Sequence, residues 1–236
     1  ISSVRPSDIV TLLPSCVVEM RRLAFIACLM VVGYAPWPLH AAEKILVIGD
    51  SLSAAYGIEQ QRGWVALLQQ RLQQQAFSYQ VVNASISGDT TRGGLSRLQT
   101  ALQRERPQLL IIALGGNDGL RGFSPEQTRS NLRDMIKLGR EAGARVLLLG
   151  VKLPANYGRA YTEKFHRIYL ELASEYDVAL VPFFLEGVAE TRALMQPDGI
   201  HPAAEAQPRI LDNVWTGLAP LLQARSSGLG ALGVVQ

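Results

Sequence analysis

The sequence predicts an α/β fold, a three-layer α/β/α sandwich built on a five-stranded parallel sheet. Three observations predict it. Five short apolar runs, at residues 44–48, 79–83, 109–114, 145–151 and 179–183, have the length and composition of strands. Stretches with apolar residues at helical spacing separate them, which is the alternation of βαβ units. Small and polar residues gather after each run, and in such a sheet ligands sit beyond the carboxyl ends of the strands.

The first run is Lys44 followed by four large aliphatics, Ile45, Leu46, Val47 and Ile48, and reads as a strand buried on both faces. Gly49 stops it, and Asp50 and Ser51 follow at once. A serine placed there is either a nucleophile or, with Asp50, the polar cap of a following helix. Residues 64–75 form the first helix, with Trp64, Leu67, Leu68 and Leu72 on one face. The second strand leads to a helix over 95–106, carrying Leu95, Leu98, Ala101 and Leu102 and stopped by Pro107. After the third strand, Ser124-Pro125-Glu126 opens a helix that runs to Glu141, with the serine as cap, proline at the first helical position and an acid next. The fourth strand is followed by a helix over 160–176 striped by Phe165, Ile168, Tyr169 and Leu172, and the fifth by a last helix over 204–222. The expected strand order is flavodoxin-like, with no internal repeat and no second domain.

Among 236 residues, 48% are hydrophobic and 18% charged, which suits a globular domain with a substantial core. Net charge is +3 and no basic run extends beyond Arg21-Arg22, so a nucleic-acid partner is not indicated. Residues 1–42 read as lying outside the fold. Met20-Arg21-Arg22 is a basic start, residues 23–32 are uncharged and apolar, residues 34–38 break the run, and Ala41-Ala42 are small. That is the layout of a secretory signal peptide over 20–42, cut after Ala42 or Ala41. The apolar run falls short of the roughly 20 residues a bilayer span needs. Residues 1–19 read as an upstream extension ahead of the true start at Met20. A lipoprotein anchor at Cys28 competes with this reading, although Cys28 sits inside the apolar run. Removal of the leader takes Cys16, Cys28 and His40 with it and leaves no thiol for a disulfide, a cysteine nucleophile or a zinc-thiolate site. The expected location is periplasmic or secreted. Residues 225–236, rich in Ser and Gly and uncharged after Arg225, read as a disordered tail.

The polar residues beyond the strands fall in five groups: Gly49-Asp50-Ser51; residues 83–90, including Gly88, Asp89 and Thr90; Gly115-Gly116-Asn117-Asp118; residues 153–158; and Asp198-Gly199-Ile200-His201-Pro202. A parallel sheet brings all of them to one edge. In order and spacing, Gly49-Asp50-Ser51-Leu52, Gly88, Gly116-Asn117-Asp118 and Asp198-Gly199-Ile200-His201 resemble the four sequence blocks of the SGNH, or GDSL, hydrolase superfamily. The resemblance covers roughly residues 44–222. The longer runs 83–90, 114–123 and 153–158 further resemble its periplasmic bacterial branch, described as acyl-CoA thioesterase I, protease I, lysophospholipase or arylesterase. The resemblance implies an SGNH hydrolase domain over residues 43–224 and a serine esterase/thioesterase acting on small-molecule or lipid acyl esters. It also implies an open groove. No metal or cofactor is expected to be needed for such chemistry, and no stable membrane anchor and a monomer are expected.

The chemistry can also be argued from the residues. A serine hydroxyl needs an adjacent base, and histidine is the natural one. Two histidines remain after the leader. His166 falls off the apolar stripe of its helix and reads as a solvent-side residue. His201 lies at the active edge, with Asp198 three residues before it to hold one ring nitrogen and leave the other facing Ser51. The plainer alternative is a turn that Asp198 opens, Gly199 permits and Pro202 carries into the next helix. Acyl transfer passes through an oxyanion, for which the Ser51 N–H, the Gly88 N–H and the Asn117 amide are the available donors. Asp50 is expected to hold loop N–H groups and not to act as the base. Asp118 is a similar case, while Asp89 and Thr90 stiffen the Gly88 loop. Leu120, Phe123, Pro154 and Tyr157 are candidates for an acyl-binding surface. Two rivals remain: a carbohydrate acetylesterase of the same superfamily, and a non-catalytic flavodoxin-like binding module. Against the module, no phosphate-cradling glycine pattern follows any strand.

Overall fold

The computed structural model describes residues 42–223. The expected signal peptide except for Ala42, the extension before it and the tail over 225–236 lie outside these residues. The chain runs β1 (Glu43–Gly49), α1 (Trp64–Gln74), β2 (Tyr79–Asn83), α2 (Thr91–Glu105), β3 (Leu109–Ala113), α3 (Gly116–Leu120), α4 (Pro125–Glu141), β4 (Arg145–Leu149), α5 (Arg159–Tyr176), β5 (Ala179–Val181) and α6 (Gln207–Gln223). The five strands form one sheet in the order β2-β1-β3-β4-β5, with every pair parallel. This is the flavodoxin-like order expected from the sequence.

The layers follow from the handedness of the connections. A right-handed crossover that steps one way along the sheet puts its helix on one face, and a step the other way puts it on the opposite face. Accordingly α1 packs with α6, while α2, α4 and α5 pack side by side. The central strands are covered twice: every residue of β3 is buried, as are Ile45 to Ile48 of β1. The edge strand β2 buries only Tyr79. Trp64 and Leu68 of α1 and Val214 and Leu218 of α6 fill one side of the core. Phe165, Tyr169, Leu132 and Leu98 fill the other. Truncating a fully buried leucine such as Leu110 to alanine is expected to cost about 2–5 kcal/mol.

The helix stops and starts carry local explanations. Ser124 caps α4 by accepting from the Gln127 N–H at 3.3 Å, with Pro125 at the first position. Several elements differ from expectation. α2 begins at Thr91, four residues early, because Thr90 caps it by accepting from the Gly93 N–H at 3.2 Å. α3 is a one-turn helix where a turn was expected. β4 ends at Leu149 and β5 at Val181, each two residues short of expectation. The last α-helix begins at Gln207, after a single 3₁₀ turn at Ala204–Ala206.

Candidate active site

The register of the sheet delivers the polar groups to one edge. Gly49 at the end of β1 pairs with Ala113 of β3, and Val47 pairs with Asn83 of β2. Beyond β1 the chain turns tightly, the Asp50 carbonyl accepting from the N–H of Ser53 (3.1 Å) and of Ala54 (2.9 Å). A Cβ on Gly49 would stand 2.7 Å from Ser53 Oγ and 2.9 Å from Ser85 Oγ, so only glycine fits beneath the turn. Ser51 sits on this turn, half-buried. Neither Asp50 nor Ser51 caps a helix, since the next helical piece is the short 3₁₀ turn Gln60–Arg62.

The Asp50 side chain points inward and is almost fully buried. Oδ1 accepts from the Leu52 N–H (3.0 Å) and Oδ2 from the Asn117 amide (3.3 Å). Burial pushes its carboxyl up to about 6, partly offset by the Leu52 hydrogen bond, the nearby His201 and the Asn117 hydrogen bond. Its expected role as an acceptor for loop groups therefore matches its geometry.

His201 lies 150 positions further along the chain, yet its Nε2 is 2.9 Å from Ser51 Oγ. Its Nδ1 is 2.7 Å from Asp198 Oδ2. An ionised carboxylate can only accept, so the ring proton belongs on Nδ1 and the Nε2 lone pair faces the serine hydroxyl. The other oxygen, Asp198 Oδ1, accepts from the N–H groups of Ile200 (2.9 Å) and His201 (3.0 Å). The His201 backbone bond, then the His201 ring and the Ile200 backbone, hold the Asp198 carboxyl well below the ordinary carboxylate range. Pro202 does not begin a helix as the plainer turn reading required; it forms an isolated antiparallel bridge with Met195.

The three expected oxyanion donors surround the same turn. Among the described residues, the N–H groups of Ser51 and Gly88 have no hydrogen-bond partner. Gly88 has a φ of +78°, a backbone conformation that disfavours other residues. Asn117 is in the first turn of α3, and its Nδ2 donates to the Asp89 carbonyl (3.0 Å) as well as to Asp50. Its amide thus ties the loop after β3 to the loops after β1 and β2. Asp89 is gripped by Arg97 through Nε (2.9 Å) and Nη2 (2.7 Å), and it accepts from the Thr90 N–H (2.9 Å). Asp118 is buried and accepts from Thr91 N–H (2.9 Å) and Oγ1 (2.5 Å).

The four acyl-surface candidates come from the segments after β3 and β4. Tyr157 Oη donates to the Leu120 carbonyl (3.0 Å), Pro154 immediately precedes the 3₁₀ turn that carries Tyr157, and Tyr161 Oη donates to the Phe123 carbonyl (2.8 Å). Phe123 and Tyr157 are exposed. His166 is not on the solvent side as expected; it is half-buried with Nδ1 3.3 Å from the Val151 carbonyl, because the β4–α5 connection covers it.

Two residues of the site escaped sequence reasoning. The Tyr56 ring lies against the His201 imidazole, with centroids 4.5 Å apart and planes at 40°. The Gln196 amide donates to the carbonyls of Tyr56 (2.8 Å) and Pro202 (3.0 Å), while its backbone N–H donates to the His201 carbonyl (2.8 Å). Gln196 is therefore a strap between the serine loop and the histidine loop. A lone glutamine in an irregular segment carries no signal by which this could have been found.

Among the described residues, no group of three or more His, Cys, Asp and Glu side chains is placed to hold a metal. No described helix is long and apolar enough to cross a membrane.

The model of the GDSL-like lipase/acylhydrolase family matches residues 47–208, more than half of the chain, a range that holds every site residue named above. The chain belongs to this family. Its fold, its order of site segments and its relatives agree that this GDSL family member is a carboxylic ester hydrolase. It is 54% identical over 203 residues to the esterase TesA of Pseudomonas aeruginosa, covering 86% of this chain and 100% of that one. It is 48% identical over 182 residues to thioesterase 1/protease 1/lysophospholipase L1 of Escherichia coli K12, covering 77% and 86%. The crystal structure of a TesA superposes with a TM-score of 0.75 at 56% identity, covering 76% of this chain and 99% of that one.

Proposed function

We propose that this GDSL hydrolase is a serine esterase and thioesterase of broad acyl specificity, with Ser51 as nucleophile, His201 as general base and acid, and Asp198 orienting the imidazole. The observation that carries the proposal is the continuous line from Asp198 Oδ2 through both ring nitrogens to Ser51 Oγ, at 2.7 and 2.9 Å. His201 takes the serine proton as Oγ attacks the acyl carbonyl, then gives it to the leaving alcohol or thiol. Water, activated by the same imidazole, releases the acid from Ser51.

The oxyanion of each tetrahedral step is received by the N–H groups of Ser51 and Gly88 and by the Asn117 amide. The two backbone donors are uncommitted among the described residues, which supports this role. Asn117 spends its amide on Asp89 and Asp50 in the free enzyme; the 3.3 Å bond to Asp50 is the longer, and is the one exchanged for the oxyanion. Leu120, Phe123, Pro154 and Tyr157 receive the acyl or aryl group.

The substrate range proposed is fatty acyl, lysophospholipid and aryl esters together with thioesters, in keeping with the esterase and thioesterase/lysophospholipase names of its relatives. The enzyme is proposed to act as a periplasmic or secreted monomer after loss of a leader over residues 20–42. The test is a chain-length series of p-nitrophenyl esters and matched thioesters, from acetyl upward. Turnover that persists or rises beyond octanoyl, in both series, is the expected result. Hydrolysis confined to acetyl esters would favour the carbohydrate acetylesterase reading.

A further inference from the structure

Six large hydrophobic side chains are exposed among the described residues: Tyr56, Ile86, Phe123, Tyr157, Leu170 and Ile200. Only Leu170, on α5, lies away from the active edge. The other five come one from each loop at that edge: Tyr56 after β1, Ile86 after β2, Phe123 after β3, Tyr157 after β4 and Ile200 after β5. Their loops lie on both sides of β1, the strand that leads to Ser51, since β2 is on one side of it and β3, β4 and β5 on the other. Tyr56 lies against His201, Ile200 adjoins it in sequence, and the Arg121 side chain joins the Phe123 loop to the Ile86 loop by donating to the Gly88 carbonyl at 3.0 Å.

An acyl groove accounts for Phe123 and Tyr157 on one side. It does not account for Ile86, which is 52% exposed on the far side of the serine, or for Ile200, which is 48% exposed beside the base. From the loop of β2 to that of β4 the sheet order spans three strand intervals, about 14 Å, which is wider than a single alkyl chain. A collar of this kind fits an apolar surface more readily than one molecule. Its charge fits too. Arg92, in the first turn of α2, and Arg121, at the end of α3, are exposed cations next to the Ile86–Gly88 loop. Among the described residues neither has an acidic partner.

We propose that this collar docks the enzyme reversibly on an anionic lipid surface, the apolar tips entering the headgroup boundary and Arg92 and Arg121 facing anionic headgroups, so that Ser51 is presented to acyl esters held in that surface. The proposal rests on the esterase reading and deepens it by naming the physical state of the substrate. It involves no stable anchor: five isolated side chains give a shallow, salt-sensitive contact.

The test uses the intact enzyme and vesicles of phosphatidylcholine, with and without phosphatidylglycerol. Co-sedimentation reads docking, and p-nitrophenyl acetate below any aggregation limit reads soluble turnover. Wild type and Ser51→Ala are expected to co-sediment with the phosphatidylglycerol vesicles and to release as salt is raised. Ile86→Ser/Arg92→Ser is expected to bind them about tenfold more weakly or worse, judged from the apolar area and the cation removed. It should keep soluble turnover within about twofold, because neither side chain hydrogen-bonds Ser51, His201 or Asp198. Leu170→Ser should behave as wild type. Failure of wild type to bind either vesicle, or equal binding by the double variant, would overturn the docking proposal and leave the esterase reading intact. Parallel loss of soluble turnover in the double variant would also overturn it, by assigning these side chains to the binding of single molecules. Loss of all hydrolysis by wild type, with vesicle binding retained, would instead strike the esterase reading.

Discussion

Two aspartates flank the Ser51–His201 pair, and their surroundings push them in opposite directions. Asp50 is sealed under the serine turn, and burial raises its carboxyl to about 6. Asp198 stands in an open turn, where three hydrogen bonds from Ile200 and His201 hold its carboxyl well below the ordinary range. The contrast extends to the loops that carry them. The serine side is set by the sheet: Gly49 is locked in register with Ala113, and the loops after β2 and β3 close over it through Asn117. The histidine side has no strand beneath it. It is shaped by its own Asx-type turn and strapped to the serine side by Gln196. Sequence adjacency to Ser51 is therefore a poor guide to which acid reaches the histidine beside it. The acid whose ionised form is stabilised at neutral pH is the one bonded to the imidazole.

Substitutions can break this comparison at each point, and the largest effect belongs to Asp198. Asp198→Asn leaves an amide that can turn its NH₂ toward Nδ1 and favour the wrong tautomer, so kcat is expected to fall on the order of 10³–10⁴-fold with little change in thermal stability. Asp50→Asn should do far less to kcat directly, and steady-state kinetics of the two variants side by side measures the asymmetry. Next in size is Asn117→Ala. Loss of one oxyanion donor is expected to reduce kcat by about 10²–10³-fold while KM and the far-UV CD spectrum hold. Unchanged turnover would remove Asn117 from the oxyanion site.

The acids should also separate by pH. The Asp50 carboxyl is raised in the folded state, from 3.8 to about 6, so the folded protein binds the extra proton in that window. Its contribution is fully present below about pH 4 and is lost as pH rises through about 6, roughly 3 kcal/mol at most by linkage. The Asp198 carboxyl is depressed in the folded state, so its contribution is present above the unfolded value and is lost as pH falls below it. Urea unfolding at a series of pH values should therefore show a decline between about pH 4 and 6 that Asp50→Asn flattens. If the decline survives in Asp50→Asn, another group is responsible for it. The smallest effect concerns the strap. Gln196→Leu removes the bonds to Tyr56 and Pro202, and kcat is expected to drop about tenfold as the 2.9 Å Ser51–His201 contact loosens, with KM for short esters little changed.

Much of this architecture was legible in the sequence, for identifiable reasons. A strand buried on both faces must be almost wholly aliphatic, so Ile45 to Ile48 and Leu109 to Ile112 announce themselves. The helices over 125–141 and 159–176 carry a cap or an apolar stripe that local chemistry dictates. The missed elements depend on tertiary contacts instead. Gly93 and Gly94 precede the helix expected over 95–106, and glycine disfavours helix, yet they lie inside α2, where a Cβ on Gly94 would stand 2.2 Å from a methyl of Leu114. α3 contains two glycines and no apolar period, and is held by what Asn117 and Asp118 bind elsewhere. The same division runs through the site. Ser51, Asp198 and His201 sit in motifs whose spacing is local. Tyr56 and Gln196 matter only because two loops meet in space.

The central claim is that His201, held by Asp198, activates Ser51. It is tested most directly by the rate at which a p-nitrophenyl phosphonate labels the enzyme, with mass spectrometry locating the adduct. The account predicts a single adduct on Ser51 in wild type, and labelling slowed at least about 10³-fold in a folded His201→Ala variant. An adduct at another residue, or labelling of His201→Ala at the wild-type rate, would contradict it.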